Sequence, residues 1–97
     1  PVVFRGPNVN PAVHDQLRSL SDEHNIPIQI NSISKPASND GNALQVSRGG
    51  LATGIIGIPN RYMHSPVEVV SLSDLENAAE LIGRFCLALK QNSDFTP

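Results

Sequence analysis

Tryptophan is missing from this chain, and only Phe4, Tyr62, Phe85 and Phe95 are aromatic. A surface that stacks nucleic-acid bases needs more aromatic faces than these. Positive charge is equally thin. Arg5, Arg18, Lys35, Arg48, Arg61, Arg84 and Lys90 are scattered, and the net charge is -2 with a pI near 5.8. No basic stripe exists, so the footprint of a nucleic-acid binder is absent. The longest apolar stretches fall far short of the ~20 residues that span a bilayer, and the chain does not open on a secretory signal. No membrane role is expected. Cys86 is the sole cysteine, which excludes an internal disulfide and fits a reducing, cytoplasmic setting. An initiator methionine is missing too: the chain opens on Pro1, Val2, Val3 and Phe4, which reads as a strand already under way. The expectation is a portion of a longer domain, with the remainder of the same polypeptide as its first partner.

Within 97 residues there is room for one domain at most. Short apolar runs alternate with helical patterns, the signature of an α/β sheet protein. Val2 to Phe4 reads as a strand ended by Gly6-Pro7. Asn10-Pro11 starts a helix, because Asn caps free backbone N–H groups and Pro suits the first turn. Val13, Leu17 and Leu20 continue it to about residue 24, and Pro27 closes it. Ile26, Ile28 and Ile30 alternate as in a strand.

Residues 34 to 42 have loop composition, and Asp40 is placed to cap a short helix that Gly49-Gly50 stops. Leu51 to Ile58 is nearly continuous in apolar residues, which predicts a central strand covered on both faces. A proline-bounded loop, PNRYMHSP, occupies 59 to 66. Ser73 and Glu76 match a capping box. The helix after it, about 74 to 90, carries a stripe of Leu75, Ala78, Ala79, Ile82, Phe85, Cys86 and Leu89. The tail from Gln91 to Pro97 reads as polar and loose.

His64 is the side chain most suited to chemistry. It lies just past the apolar run, and ligand sites in open α/β sheets collect at strand ends. Neutral imidazole is a common metal ligand. Spacing alone leaves two readings, a ligand or an ordinary loop histidine. His14 and His24 sit on the first helix beside Asp15, Asp22 and Glu23, where a plain solvated face is the simpler reading. Gly49-Gly50 is no phosphate loop, since neither GxGxxG nor GxxxxGK occurs.

Three blocks carry a family likeness: RGPNVNP at 5–11, NDGNALQVSRGGLATG at 39–54, and IPNRYMHSPVEVVSLSDLENAAELI at 58–82. In order and spacing they resemble the glutamyl and deblocking aminopeptidases, the TET-type peptidases, some of which have been labelled endoglucanases. The resemblance runs over roughly residues 2 to 90. It implies the C-terminal portion of a single metallopeptidase catalytic domain, with a three-layer helix–sheet–helix, zinc-dependent exopeptidase fold. It also implies hydrolysis of N-terminal residues from peptides by a water activated between two divalent ions, zinc or cobalt. The histidine of the RY-x-HSP motif, here His64, would bind one ion. Homo-oligomers, in some cases hollow dodecamers, are implied as well.

The family's other ligands and its base lie upstream: a His, a bridging Asp, two consecutive carboxylates and a further Asp. This chain has no adjacent glutamates and no His-x-Asp, and Asp22-Glu23 stands in the wrong context. One ligand does not hold a catalytic zinc, which takes about three protein ligands and a water. The isolated chain is therefore expected to be inactive.

Four further residues have open roles. Asp40, in an Asn39-Asp40 pair where the family has Thr-Asp, caps a helix or contacts substrate. Arg61 and Tyr62 line the pocket or orient the loop, and Arg61 could equally form a structural ion pair. Glu68 hydrogen-bonds His64 as an outer partner of the kind that sets a ligand's tautomer, or lies free on the surface. The rival functional reading is a non-catalytic fragment or interaction module that keeps the peptidase half-sheet.

Overall fold

The computed structural model describes residues 1–97 and has α/β architecture. Strand β1 (Val2–Arg5) leads into helix α1 (Pro11–Glu23) and returns as β2 (Gln29–Ser32). A five-residue helix α2 (Asp40–Leu44) and a two-residue strand β3 (Ile56–Gly57) follow. The chain then forms a small hairpin, β4 (Asn60–Arg61) and β5 (Val69–Val70), and ends in the long helix α3 (Leu72–Ala88). The main sheet has the order β2-β1-β3, with β2 parallel and β3 antiparallel to β1.

Helix α1 starts and stops as its sequence demands. Asn10 Oδ1 accepts from Val13 N–H at 3.1 Å, and Pro11 takes the first helical position. At the other end Asn25 turns left-handed (φ 53°), and Ser21 bonds Ile26 through both hydroxyl and carbonyl. Val13, Leu17 and Leu20 point into a core shared with Val3, Ile26 and Leu81. Of the three isoleucines after this helix, Ile26 is in that core and Ile28 packs against it. Ile30, in β2 itself, is 46% exposed, because no element of this chain covers that edge strand.

The apolar run from Leu51 to Ile58 is not a central strand. Only Ile56–Gly57 pairs, and it lies at the edge of the sheet, while β1 holds the centre. Upstream of the strand, Phe4 N–H donates to Ile55 O and Asn10 N–H to Thr53 O. The segment thus runs along β1 and the start of α1, and two glycines allow it to lie so close. A Cβ at Gly54 would stand 2.7 Å from Val13 Cγ1, and one at Gly57 would stand 2.9 Å from Phe4 Cε2.

Three further expectations are corrected. The cap of α2 is Asn39, whose Oδ1 accepts from Gly41 N–H at 3.1 Å; Asp40 is the first helical residue. The Ser73–Glu76 box does not form, because α3 begins two residues earlier, at Leu72, with Ser71 as a cap that makes no side-chain bond. The buried face of α3 is Ala78 and Leu81, with Asn77, Phe85 and Ala88 half-buried. It is offset by one residue from the Leu75–Ile82–Leu89 stripe. Leu81 is fully buried, whereas Leu75, Ile82 and Leu89 are 38%, 48% and 42% exposed.

The tail is also less loose than its composition implies. Phe95 stacks on Phe85 with ring centroids 6.2 Å apart, and its carbonyl accepts from Asn10 Nδ2 at 2.7 Å. Thr96 donates its hydroxyl and N–H to Asp94, which holds that carboxyl below its usual pKa range. Beside Phe95 an open apolar cleft of about 480 Å³ lies between α1, α3 and the 52–56 segment. No helix is long and apolar enough to cross a membrane.

The orientation of α3 has a direct consequence. Leu81→Ala should cost about 2–5 kcal/mol, as expected for a filled core site. Leu75→Ala, on the open face, should cost less than about 1 kcal/mol. Urea denaturation of both variants measures the two losses; equal values would mean that the helix is rotated from the orientation described.

Candidate functional site

The PNRYMHSP segment folds as the loop of the β4–β5 hairpin, with Asn60 opposite Val70 and Arg61 opposite Val69. A two-stranded ribbon is marginal by itself. Here it is tied at one end to β3 through Ile58-Pro59 and at the other to α3 through Ser71. Residues 62–68 form its exposed tip. Two of them, Tyr62 (φ 58°) and His64 (φ 64°), occupy the left-handed region. For a residue with a Cβ this costs about 1–2 kcal/mol, so the loop needs specific bonds to hold it.

Three such bonds are present. Ser65 N–H donates to Tyr62 O at 3.1 Å, closing the first turn. Val67 N–H donates to Ser65 Oγ at 3.3 Å. His64 N–H donates to Glu68 Oε1. Glu68 therefore does bond His64, but at the main chain rather than at the ring. A hydrogen bond to a charged group contributes roughly 1.5–3 kcal/mol, with the exposed setting placing this one toward the lower end.

The imidazole of His64 is exposed and engages no hydrogen-bond partner within the chain. Both ring nitrogens are thus open to an outside group. Arg61 and Tyr62 are also exposed, Tyr62 by 62%. No carboxylate of this chain lies within ion-pairing distance of Arg61, so the structural ion pair is not made. Asp40 belongs to a different element, the start of α2, and no hydrogen bond or ion pair joins it to the hairpin. The structure gathers Arg61, Tyr62, His64 and Glu68 into one hairpin and leaves Asp40 apart. Nowhere do three His, Cys, Asp or Glu side chains converge as a metal would require. The residues present do not make a complete metal site.

Three buried polar residues escaped the sequence reading: Ser21, which closes α1, His14 and Asn8. His14 is 2% exposed, packed against β1, with its ring Nδ1 3.1 Å from Phe4 O. A carbonyl only accepts, so Nδ1 carries the hydrogen. Asn8 is 1% exposed; its Oδ1 accepts from Ala37 N–H at 3.2 Å and pins the 34–42 loop to the β1–α1 turn. The helical period could have signalled His14, which falls one residue after Val13 and three before Leu17. Nothing in the sequence marks Asn8 apart from its place between Pro7 and Val9.

Comparison with known proteins points one way. The family described as M42 glutamyl aminopeptidase matches residues 2–81. A lysyl aminopeptidase from Pyrococcus furiosus is 37% identical over all 97 residues, and the match takes in 28% of that protein. A putative aminopeptidase from Acetivibrio thermocellus is 40% identical over 73 residues, 22% of its length. Among solved structures, an aminopeptidase from the archaeon Desulfurococcus kamchatkensis superposes with a TM-score of 0.82 at 36% identity, over 93% of this chain and 27% of that one. A TET aminopeptidase from a marine-sediment Thaumarchaeota archaeon gives 0.81 at 25% identity, over 93% and 26%. The chain spans less than a third of the length of these relatives.

The left-handed backbone at the loop tip yields a test. Tyr62→Gly should leave amide exchange in β4 and β5 unchanged or slower, since glycine takes this φ freely. Tyr62→Val should speed it about tenfold, the equivalent of roughly 1.4 kcal/mol. Equal rates in the two variants would show that position 62 does not hold this conformation in solution.

Proposed function

Because this chain belongs to the M42 glutamyl aminopeptidase family, we propose that it is the C-terminal portion, residues 1–97, of the catalytic domain of a two-metal aminopeptidase. In this reading the longer polypeptide removes N-terminal residues from peptides. Two divalent ions, zinc or cobalt, supply carbonyl polarisation and an activated water when bound. His64 is the one ligand contributed by this chain.

The observation that carries the reading is the imidazole of His64: exposed at the loop tip, with both nitrogens unengaged, on a ribbon anchored at both ends. A ligand at such a position contributes little to packing, so its role is separable from the fold. The remaining ligands come from the rest of the polypeptide. Arg61 and Tyr62 extend from the same hairpin and are available to contact the substrate or a neighbouring element. Asp40 serves the first turn of α2, where a carboxylate suits the helix N-terminus; a substrate contact there is secondary. Homo-oligomeric assembly, dodecameric in the TET manner, and a cytoplasmic location complete the proposal. The lone Cys86 fits the latter.

A second reading is a non-catalytic interaction module. The open cleft and the exposed leucines of α3 favour it to the extent that they need a cover, but a peptidase domain continuing beyond these residues would cover the same surface.

Two measurements test the proposal. The isolated chain, given zinc or cobalt and chromogenic amino-acid amides, should show no turnover above a His64→Ala control. In the longer enzyme His64→Ala should empty one metal site and lower turnover more than about a hundredfold, beyond the 10–100-fold that loss of an outer-shell partner causes, with the melting temperature nearly unchanged. A variant that keeps both ions and normal turnover would refute the ligand assignment.

A further inference from the structure

The geometry of the hairpin points to Glu68 as a positioning residue that aims His64 through the main chain. This role rests on reading His64 as a metal ligand. The residue itself does not touch the ion or the substrate.

The argument begins with the backbone. His64 sits at φ 64°, a conformation that a residue with a Cβ leaves unless its surroundings hold it there. Changing that φ would swing the Cα–Cβ bond and carry the imidazole away from its present direction. The bond that engages the His64 peptide is the one from its N–H to Glu68 Oε1. Glu68 directly precedes β5, and Val69 and Val70 are registered against Arg61 and Asn60. The acceptor therefore comes from the last residue of the tip, next to the paired Val69, and reaches back across the loop to the residue that most needs fixing. The turn from Tyr62 to Ser65 and the Ser65–Val67 bond complete the tip without using the imidazole.

A carboxylate partner of a ligating histidine usually bonds the ring's second N–H and so sets its tautomer. Glu68 is instead spent on the peptide. In this structure Glu68 Oε1 accepts from the His64 peptide, and no acceptor of this chain meets the ring.

The test uses two readouts. In ¹⁵N NMR of this chain, the His64 amide should lie downfield and exchange slowly. Glu68→Ala should move it upfield and speed its exchange at least about tenfold, while Glu68→Gln, which keeps an acceptor of the same reach, should retain most of both. In the longer enzyme, metal affinity measured by chelator competition should fall about 10–100-fold in Glu68→Ala and largely recover in Glu68→Gln, with the melting temperature lowered by no more than a few degrees in either. An unchanged His64 amide in Glu68→Ala overturns the proposal. So does normal metal affinity in Glu68→Ala where His64→Ala still loses an ion, and in that case the ligand reading stands. If His64→Ala keeps both ions, the ligand reading fails and the proposal fails with it.

Discussion

The structure depends on β1 being held on both edges and capped on one face. Val3 is 1% exposed, paired to Ile30 on one side and Ile56 on the other, and closed over by α1 and by Leu81 of α3. Each neighbouring element is placed by that strand. The parallel return to β2 needs a crossover, and α1 supplies it. The 53–57 segment lies close because Gly54 and Gly57 have no side chain to strike Val13 or Phe4. Helix α3 settles where Leu81 can complete the pocket formed by Val13, Leu17 and Leu20.

The hairpin that bears His64 draws its position from this core at second hand. No part of it is buried in the core cluster. Its two strands are too short to be stable alone, and their ends are continuous with β3 and α3, both packed on β1 or its covering helix. Such a loop is stiffened by local bonds and remains open to solvent. That is a suitable mounting for a side chain whose partners belong to another part of a protein: the ring can be reached, and its direction is still defined by the peptide that carries it.

Much apolar surface remains uncovered. Only 12 of 97 residues are buried, and Val46, Leu72 and Leu87 are more than 70% exposed. The radius of gyration is 14.0 Å, above the ~13 Å of a compact domain of about this size. Phe95 closes part of the cleft beside α3 by folding back on Phe85. Its grip reaches the Asn10 side chain, whose oxygen caps α1 while its nitrogen holds the tail.

The sequence by itself determined whatever rests on local chemistry. The Asn10-Pro11 start of α1 and its end before Pro27 are written in capping and in proline geometry, and the α/β alternation follows from the spacing of apolar runs. The RYMHSP block carries the family likeness on which the proposed role of His64 rests, because a motif depends on side-chain identity and order. Only tertiary structure decided which apolar residues are inside. An amphipathic stripe leaves a rotational uncertainty of about one residue, and Leu81, not Ile82, became the buried one because α3 meets α1 at that angle. It likewise turned the Leu51–Ile58 run into an edge segment, buried His14 in a helix that reads as solvated, and gave the Glu68 carboxylate to a peptide N–H instead of an imidazole. Each of these outcomes depends on which groups distant parts of the chain bring within reach, and sequence spacing carries no record of that distance.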